Sequence, residues 1–186
     1  MTAMLTDLLT HAPWTTAPDS FAVDLLQFCS TDKRVIRSKM RSGYGSPRDS
    51  LQAWATRFDL FILFDEDGYF FVADDASDAV HARDLDRSNH PHECEFGDLL
   101  GYPPCCYKSV ASVGEENIDA LATLQLAWEF DGQFQLIDTK SYTSGQSLIC
   151  HLPCTPNCKP SLDLALAALT CLQLMQPHDR VFLTTV

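Results

Sequence analysis

The order of secondary-structure patterns in this 186-residue chain predicts an α+β fold. Helical patterns stand at both ends, an aromatic hairpin pattern lies between them, and the later strand-like stretches do not alternate regularly with helices. Because 46% of the residues are hydrophobic, the chain can build one sizeable core. We therefore expect residues 1–186 to form a single compact domain, with a central β-hairpin or small mixed sheet packed by helices.

The hairpin is the clearest element of the sequence. Residues 58–64 and 69–73 are rich in aromatic and β-branched side chains, and the four residues between them end in Gly68. The acidic residues Asp65, Glu66 and Asp67 suit a turn. A calcium loop is not indicated, because no twelve-residue series of ligands follows them.

Apolar residues at helical spacing predict the other elements. The predicted helices cover residues 4–9, 21–29, a short stretch through Val80, residues 96–100, 104–113, 115–130 and 162–175. Ile118, Leu121, Leu124 and Trp128 are expected on the buried side of the 115–130 helix, and Ser161 is expected to cap the last one. Strands are predicted at residues 134–138, 147–150 and 181–186.

The charge balance excludes several classes of partner. A formal net charge of −12 repels phosphate backbones, so non-specific binding to nucleic acid or to an anionic membrane is not expected, although a locally basic patch could still bind either. No apolar run is long enough to span a membrane, and residues 1–16 lack the basic and apolar regions of a secretory signal. We expect a soluble, cytoplasmic protein.

Eight cysteines are many for a chain of this kind. In a reducing compartment they indicate metal binding or thiol chemistry more than structural disulfides. The even count would also permit four bridges. A bridge between the neighbours Cys105 and Cys106 is disfavoured, however, because its small ring strains the backbone.

Five of these cysteines lie on two stiff loops. Cys150, Cys154 and Cys158 follow one another at four-residue intervals, and Pro153 and Pro156 between them argue against a helix. The second loop, residues 100–106, carries Cys105 and Cys106 behind glycine and proline turn signals. Each loop is short of donors for a four-coordinate ion, so segments 90–108 and 147–160 are expected to pack together as one site.

Thiolates on stiff loops are ligands for soft metals. The candidate metal ligands are Cys105, Cys106, Cys150, Cys154 and Cys158. An iron-sulfur cluster is slightly favoured over zinc, because clusters accept wide ligand spacings and proline-rich loops. Of the neighbouring pair, one sulfur is expected to face the centre, with Cys106 preferred. A helix beginning at Pro103 or Pro104 would stabilise that thiolate with its dipole.

Two histidines lie close to these cysteines in the sequence. His151 follows Cys150 directly and is a candidate to orient a ligand or move a proton. His92 precedes the first loop. With either histidine as base, Cys106 would be a nucleophile for acyl or sulfur transfer, although no family signature of such enzymes accompanies it.

The basic residues concentrate between positions 33 and 48, and they are either a solvated face or an anion site. Arg37, Arg41 and Arg48 are candidates to bind a small anionic substrate, together with Tyr102 from the cysteine loop. Gly43 and Gly45 form a flexible loop that could let backbone donors approach the same anion.

The two cysteine loops also carry a resemblance. Leu-Gly-Tyr-Pro-Pro-Cys-Cys at 100–106 and His-Leu-Pro-Cys-Thr-Pro-Asn-Cys at 151–158 resemble the paired LGYPxCC and HxPCxxxC motifs of a small uncharacterised prokaryotic family. The resemblance implies that both loops belong to one site. It carries no reaction.

These observations lead to a metal-dependent enzyme that acts on a small anionic substrate, with an iron-sulfur cluster slightly ahead of zinc. A non-enzymatic structural-metal or metal-carrier module is the competing class, in which the cysteines close around the ion and leave no open position. A cysteine nucleophile is the third hypothesis.

Overall fold

The computed structural model describes residues 2–18, 20–41, 47–88, 92–140 and 147–174. The strands are β1 (Val35–Lys39), β2 (Phe61–Phe64) and β3 (Tyr69–Ala73). The α-helices are α1 (Thr2–Thr10), α2 (Phe21–Ser30), α3 (Pro47–Arg57), α4 (Ala76–Asp86), α5 (Glu93–Leu99), α6 (Pro104–Val113), α7 (Ile118–Gln125) and α8 (Lys159–Leu174). Short 3₁₀ helices cover Glu115–Asn117 and Gly132–Ile137. The predicted α+β class is confirmed.

The three strands form one sheet in the order β1-β3-β2. Both pairings are antiparallel, so this sheet is not mixed. The predicted hairpin is confirmed as β2 and β3, with a turn in which Asp65 accepts a 2.7 Å hydrogen bond from the backbone N–H of Tyr69. Gly68 has a φ of +86°, which explains the glycine at the end of the turn. Strand β1 was not predicted.

Helices cover both faces of the sheet. Successive side chains of β3 point to opposite faces, so this strand contributes to two cores. Phe70 and Val72 face a core built with helices α1, α2, α3 and α8. There Phe21 lies edge-on to Trp54 and Phe70, with ring centroids 5.4 and 5.5 Å apart. Phe71 faces the second core, which helices α4 and α5 complete.

A third apolar cluster lies away from the sheet and joins α6 to α8. It contains Cys106, Phe130, Ile137, Ile149, Cys158 and Ala165. Gln125 ties this region together, because its side chain donates to the Pro153 carbonyl at 2.9 Å and accepts from Thr139 at 2.9 Å. Cys106 and Cys158, two of the metal-ligand candidates, thus pack inside this apolar cluster.

Three predicted elements in this region were wrong. The predicted 115–130 helix is a 3₁₀ turn followed by the shorter α7, in which Leu124 is 68% exposed and Gln125 is buried. The predicted strand at 134–138 lies mostly in a 3₁₀ helix, and residues 147–150 are irregular. These two stretches share a long backbone hydrogen bond, from Leu148 to the Leu136 carbonyl at 3.5 Å, which is too little for a ladder.

Helix α8 begins at Lys159, so Ser161 lies in its first turn, fully buried, and does not cap it. One face of α8 is buried, through residues such as Leu162 and Ala168. The predicted strand at 181–186 lies outside the described residues. So do Gly43 and Gly45.

Candidate metal centre

Four thiols converge where α6 and α8 begin. The sulfur atoms of Cys105, Cys106, Cys154 and Cys158 all lie within 4.8 Å of one another. Cys158 is the common neighbour, with its Sγ at 3.7 Å from Cys105, 3.6 Å from Cys106 and 3.6 Å from Cys154. The Sγ atoms of Cys105 and Cys106 are 3.8 Å apart. The group can therefore hold a metal ion.

The local sequence explains why two helices begin at this point. Pro104 is in the first turn of α6, where a missing N–H costs nothing, and Cys105 and Cys106 follow it directly. At the other helix, the Cys158 carbonyl accepts from the Leu162 N–H at 3.0 Å and begins α8. Thiolates at helix N-termini are stabilised by the positive end of the dipole.

Gly101 fixes the approach of the first loop. Its φ is +69°, and a Cβ there would lie 2.8 Å from the Lys33 Cα, so only glycine fits without displacing backbone. The side chain of Lys33 crosses to the same loop and donates to the Leu100 carbonyl at 3.2 Å. Lys33 also forms a buried ion pair with Asp24 at 3.0 Å.

Ser161 contacts two of the four thiols. Its Oγ lies 3.2 Å from the Cys106 Sγ and donates to the Cys158 Sγ at 3.2 Å. The Nε2 of His151 lies 2.8 Å from the same hydroxyl. Ser161 therefore connects the histidine to the sulfur group. Sequence reasoning treated this serine as a helix cap, and its position three residues after Cys158 is the only signal in the sequence for this role.

The electrostatics differ among the thiols. Burial opposes ionisation of Cys158, yet hydrogen bonds from the Ser161 side chain and backbone and from the neighbouring thiols hold its pKa below the ordinary value. Burial raises the pKa of Cys154 to about 11 and that of Cys106 well above the ordinary value, although the Cys154 backbone N–H donates to the Cys106 sulfur. A cation would remove the cost of ionising these thiols together.

The structure brings the two predicted loops together, with a change in membership. Both sulfurs of the Cys105–Cys106 pair belong to the group, where one was expected. Cys150 lies apart from it. Residues 147–150 do not form a strand, and their backbone is held by α2, where Gln27 donates to the Leu148 carbonyl at 2.8 Å. The Cys150 thiol donates a hydrogen bond to the Asp24 carboxylate of the same helix. Burial, and then Asp24, raise the pKa of Cys150.

A cavity of about 280 Å³ adjoins the sulfur group. The predicted site residues His151, Cys106, His92, Arg37 and Tyr102 all line it. Within it, the rings of Tyr102 and His151 stack at a tilt, with centroids 5.1 Å apart. The three predicted catalytic residues and two of the four predicted substrate-binding residues thus meet around one space, which is beside the metal candidate and not at its centre.

The predicted arginines do not act together in the structure. Arg37 pairs with Asp86 at 3.0 Å and covers the Tyr69 ring at 4.0 Å. Arg48 donates to the Asp65 carbonyl at 2.7 Å. Of the three arginines, Arg37 lines the cavity, whereas Arg41 and Arg48 do not.

His151 is placed where it is neutral. Its burial, and then the charge of Lys33, lower its pKa to about 3. The Nε2 atom has the Ser161 partner, whereas the buried Nδ1 has no hydrogen-bond partner among the described residues. Such an atom is a polar group that a ligand could satisfy.

Comparison with family models, with curated proteins and with solved structures finds no match to this chain. The resemblance of the cysteine motifs to a prokaryotic family stays a prediction. Within the described ranges, the helices fall short of the length and apolar character that crossing a membrane requires.

Proposed function

We propose that this protein binds one zinc ion through Cys105, Cys106, Cys154 and Cys158, and that the ion has a structural role. The observation that carries the proposal is the spacing of the sulfurs. Four bonds of about 2.3 Å to a tetrahedral ion put the sulfurs about 3.8 Å apart. Four of the six sulfur pairs are 3.6 to 3.8 Å apart.

The same spacing argues for a single ion over the iron-sulfur cluster that the sequence favoured. A four-iron cluster binds each cysteine through a different iron, so its ligand sulfurs stand further apart than sulfurs that share one ion. Tetrahedral coordination by four sulfurs suits zinc, and a single iron would fit the same site. The N–H and O–H donors from Cys154 and Ser161 support a centre with excess negative charge.

A four-thiolate site is closed, which favours the structural class over a catalytic metal. Four protein ligands fill a tetrahedral ion and leave no position for a substrate. The ion would join the start of α6 to the loop before α8 and hold the third apolar cluster in place. A nucleophilic role for Cys106 is disfavoured as well, because this residue is 1% exposed and its pKa is raised.

A second candidate function is small-molecule binding or an enzymatic reaction in the cavity. It is favoured by one observation, the meeting of His151, Arg37 and Tyr102 around that space. In this case the zinc ion would support the cavity wall through Cys106 and take no part in the reaction.

Elemental analysis of protein purified without oxygen tests the metal proposal. We expect one zinc per chain, no acid-labile sulfide and no colour. Replacing Cys154 or Cys158 by serine should empty the site, whereas Cys150→Ser and the exposed Cys94→Ser should leave the zinc content unchanged. Iron with sulfide, or full zinc content in the Cys158 variant, would refute the proposal.

A further inference from the structure

The cavity beside the sulfur group combines apolar walls with hydrogen-bond acceptors. The apolar wall comprises Leu85, Phe96, Leu100, Val110, Ile118 and Leu152. The carboxylates that line the cavity are Asp24, Asp86 and Glu93. Small-molecule sites have this composition, in which an apolar surface carries a few polar groups that fix orientation. The volume of about 280 Å³ suits a molecule with one ring.

The charges around the cavity favour a donor over an anion. Arg37 is paired with Asp86 at 3.0 Å, and the Asp24 carboxylate is paired with Lys33 at 3.0 Å. Within each pair the positive and negative charges cancel. Glu93, half-buried at the start of α5, then leaves the lining with an excess negative charge. An anionic ligand would have to break the Arg37–Asp86 pair, whereas a protonated amine would meet the Glu93 carboxylate, which has no ion-pair partner among the described residues.

The tautomer of His151 follows from the metal centre, and this step rests on the proposed function. With zinc bound, the sulfurs are thiolates, and the Ser161 hydroxyl donates its proton to one of them in a charge-assisted bond. The Ser161 oxygen is then an acceptor for His151, so Nε2 carries the ring proton. The buried Nδ1, which has no partner in the described part of the chain, is left as an acceptor on a residue that lines the cavity.

From these observations we infer that the cavity is a binding site for a small amine or N–H heterocycle with an apolar ring, whose N–H group donates to the Nδ1 atom of His151. The ring lies against the apolar wall, and Glu93 attracts the positive charge when the ligand is a protonated amine. This ligand class replaces the small anion expected from the sequence. The metal centre takes part indirectly, because Ser161 fixes the proton on the far side of the imidazole.

Two probes of equal size and opposite charge test the inference. Benzylamine and benzoate are each titrated into the zinc-loaded full chain, and binding is followed by ligand-observed NMR and by the ring resonances of His151 in ¹H–¹⁵N spectra. Benzylamine should bind and shift the Nδ1 resonance, and benzoate should bind at least about tenfold more weakly. Before addition, the same spectra should report a proton on Nε2 only.

Matched variants separate the contributions of the histidine acceptor, the carboxylate and the cavity itself to benzylamine binding. His151→Phe keeps a ring but removes the acceptor, and it should weaken benzylamine binding by about tenfold. Glu93→Gln should weaken it several-fold, whereas Glu95→Gln, on the exposed side of the same helix, should not. Val110→Trp, which fills the cavity from its wall, should abolish binding and provides a second test if the His151 variant does not fold.

The outcomes distinguish this inference from the metal proposal. A chain that takes up no zinc but still binds benzylamine through His151 would keep the cavity site and refute the metal centre. Zinc-loaded protein that binds benzoate as well as benzylamine, or neither, would overturn the inference and leave the metal centre intact. Binding that survives Val110→Trp would place the amine elsewhere and would also overturn it.

Discussion

The chain contains cysteines in two contrasting environments. Cys158 lies at the start of α8 among three other thiols, and hydrogen bonds from Ser161 lower its pKa. Cys171 lies further along the same helix, buried in the apolar core, where burial raises its pKa. On α2, burial and then Cys171 raise the pKa of Cys29 to about 12.

Burial alone does not separate the two environments, because Cys158 and Cys171 are both 3% exposed. The difference lies in the donors. The first turn of a helix offers free N–H groups, and its dipole favours negative charge, whereas the interior of the helix offers neither. Cys158 at the start of α8 is therefore stabilised as a thiolate, whereas Cys171, more than three turns later, packs as a small apolar side chain.

The largest expected effect comes from breaking the first environment. Cys158→Ser should remove the zinc ion and the stabilisation that comes with it, about 4 kcal/mol if zinc is present at 1,000 times its Kd. The control is Cys171→Ser in the same helix, which should keep full zinc content. Zinc analysis and urea unfolding measure both. Equal metal content in the two variants would show that the donors at the helix start do not define the site.

A pair of glycines tests whether backbone geometry holds the first loop in place. Gly101 and Gly132 both have positive φ, but a Cβ at Gly101 would meet the Lys33 backbone, whereas one at Gly132 would meet nothing within 4 Å. Gly101→Ala should cost about 3 kcal/mol from strain and overlap together, and Gly132→Ala about 1 kcal/mol from strain alone.

Chemical denaturation measures the two free energies of unfolding, and the rate of zinc loss to a chelator measures the effect on the site. Zinc should leave the Gly101 variant faster, because this glycine sets the approach of the loop that carries Cys105 and Cys106. Similar stability and similar zinc loss in both variants would contradict the close approach of Gly101 to Lys33.

Removing one hydroxyl should have a smaller effect. Ser161→Ala deletes the donor to the Cys158 sulfur and should weaken zinc binding by about 10- to 100-fold without emptying the site at high zinc concentration. Ser112→Ala is the control, since that hydroxyl donates to a backbone carbonyl on the exposed side of α6. Competition with a chromophoric chelator measures both affinities. An unchanged affinity in the Ser161 variant would leave that serine with a packing role only.

The parts of the fold that depend on neighbouring residues could be predicted from the sequence. The hairpin follows from alternating apolar residues and a glycine turn within one short stretch. Strand β1 was not predicted, because Arg37 and Lys39 give this short stretch a charged pattern, although Val35 and Ile36 are buried in it. Its charges are compensated by partners such as Asp86, which belongs to a later helix and cannot be paired from sequence alone.

The sequence predicted a group of cysteines that could bind a metal, but it did not predict correctly which cysteines belong to the group. The two loops were expected to meet because each has too few thiols for an ion, and their four sulfurs do lie together. Cys150 was included for its regular spacing. A regular spacing puts side chains on one side only within a helix or a strand, and residues 147–150 form neither. Their contacts with α2 place the Cys150 thiol beside Asp24 instead.

The smallest expected effect belongs to the second environment. Cys29→Ala should cost about 1 kcal/mol, because it removes one partly buried sulfur from the core beside α8 and leaves no polar group without a partner. The zinc content and the rate of zinc loss should be those of the unchanged chain. Urea unfolding and elemental analysis on the same sample measure both quantities. If zinc leaves this variant faster, the core cysteines are coupled to the metal centre through α8, and the separation of the two environments does not hold.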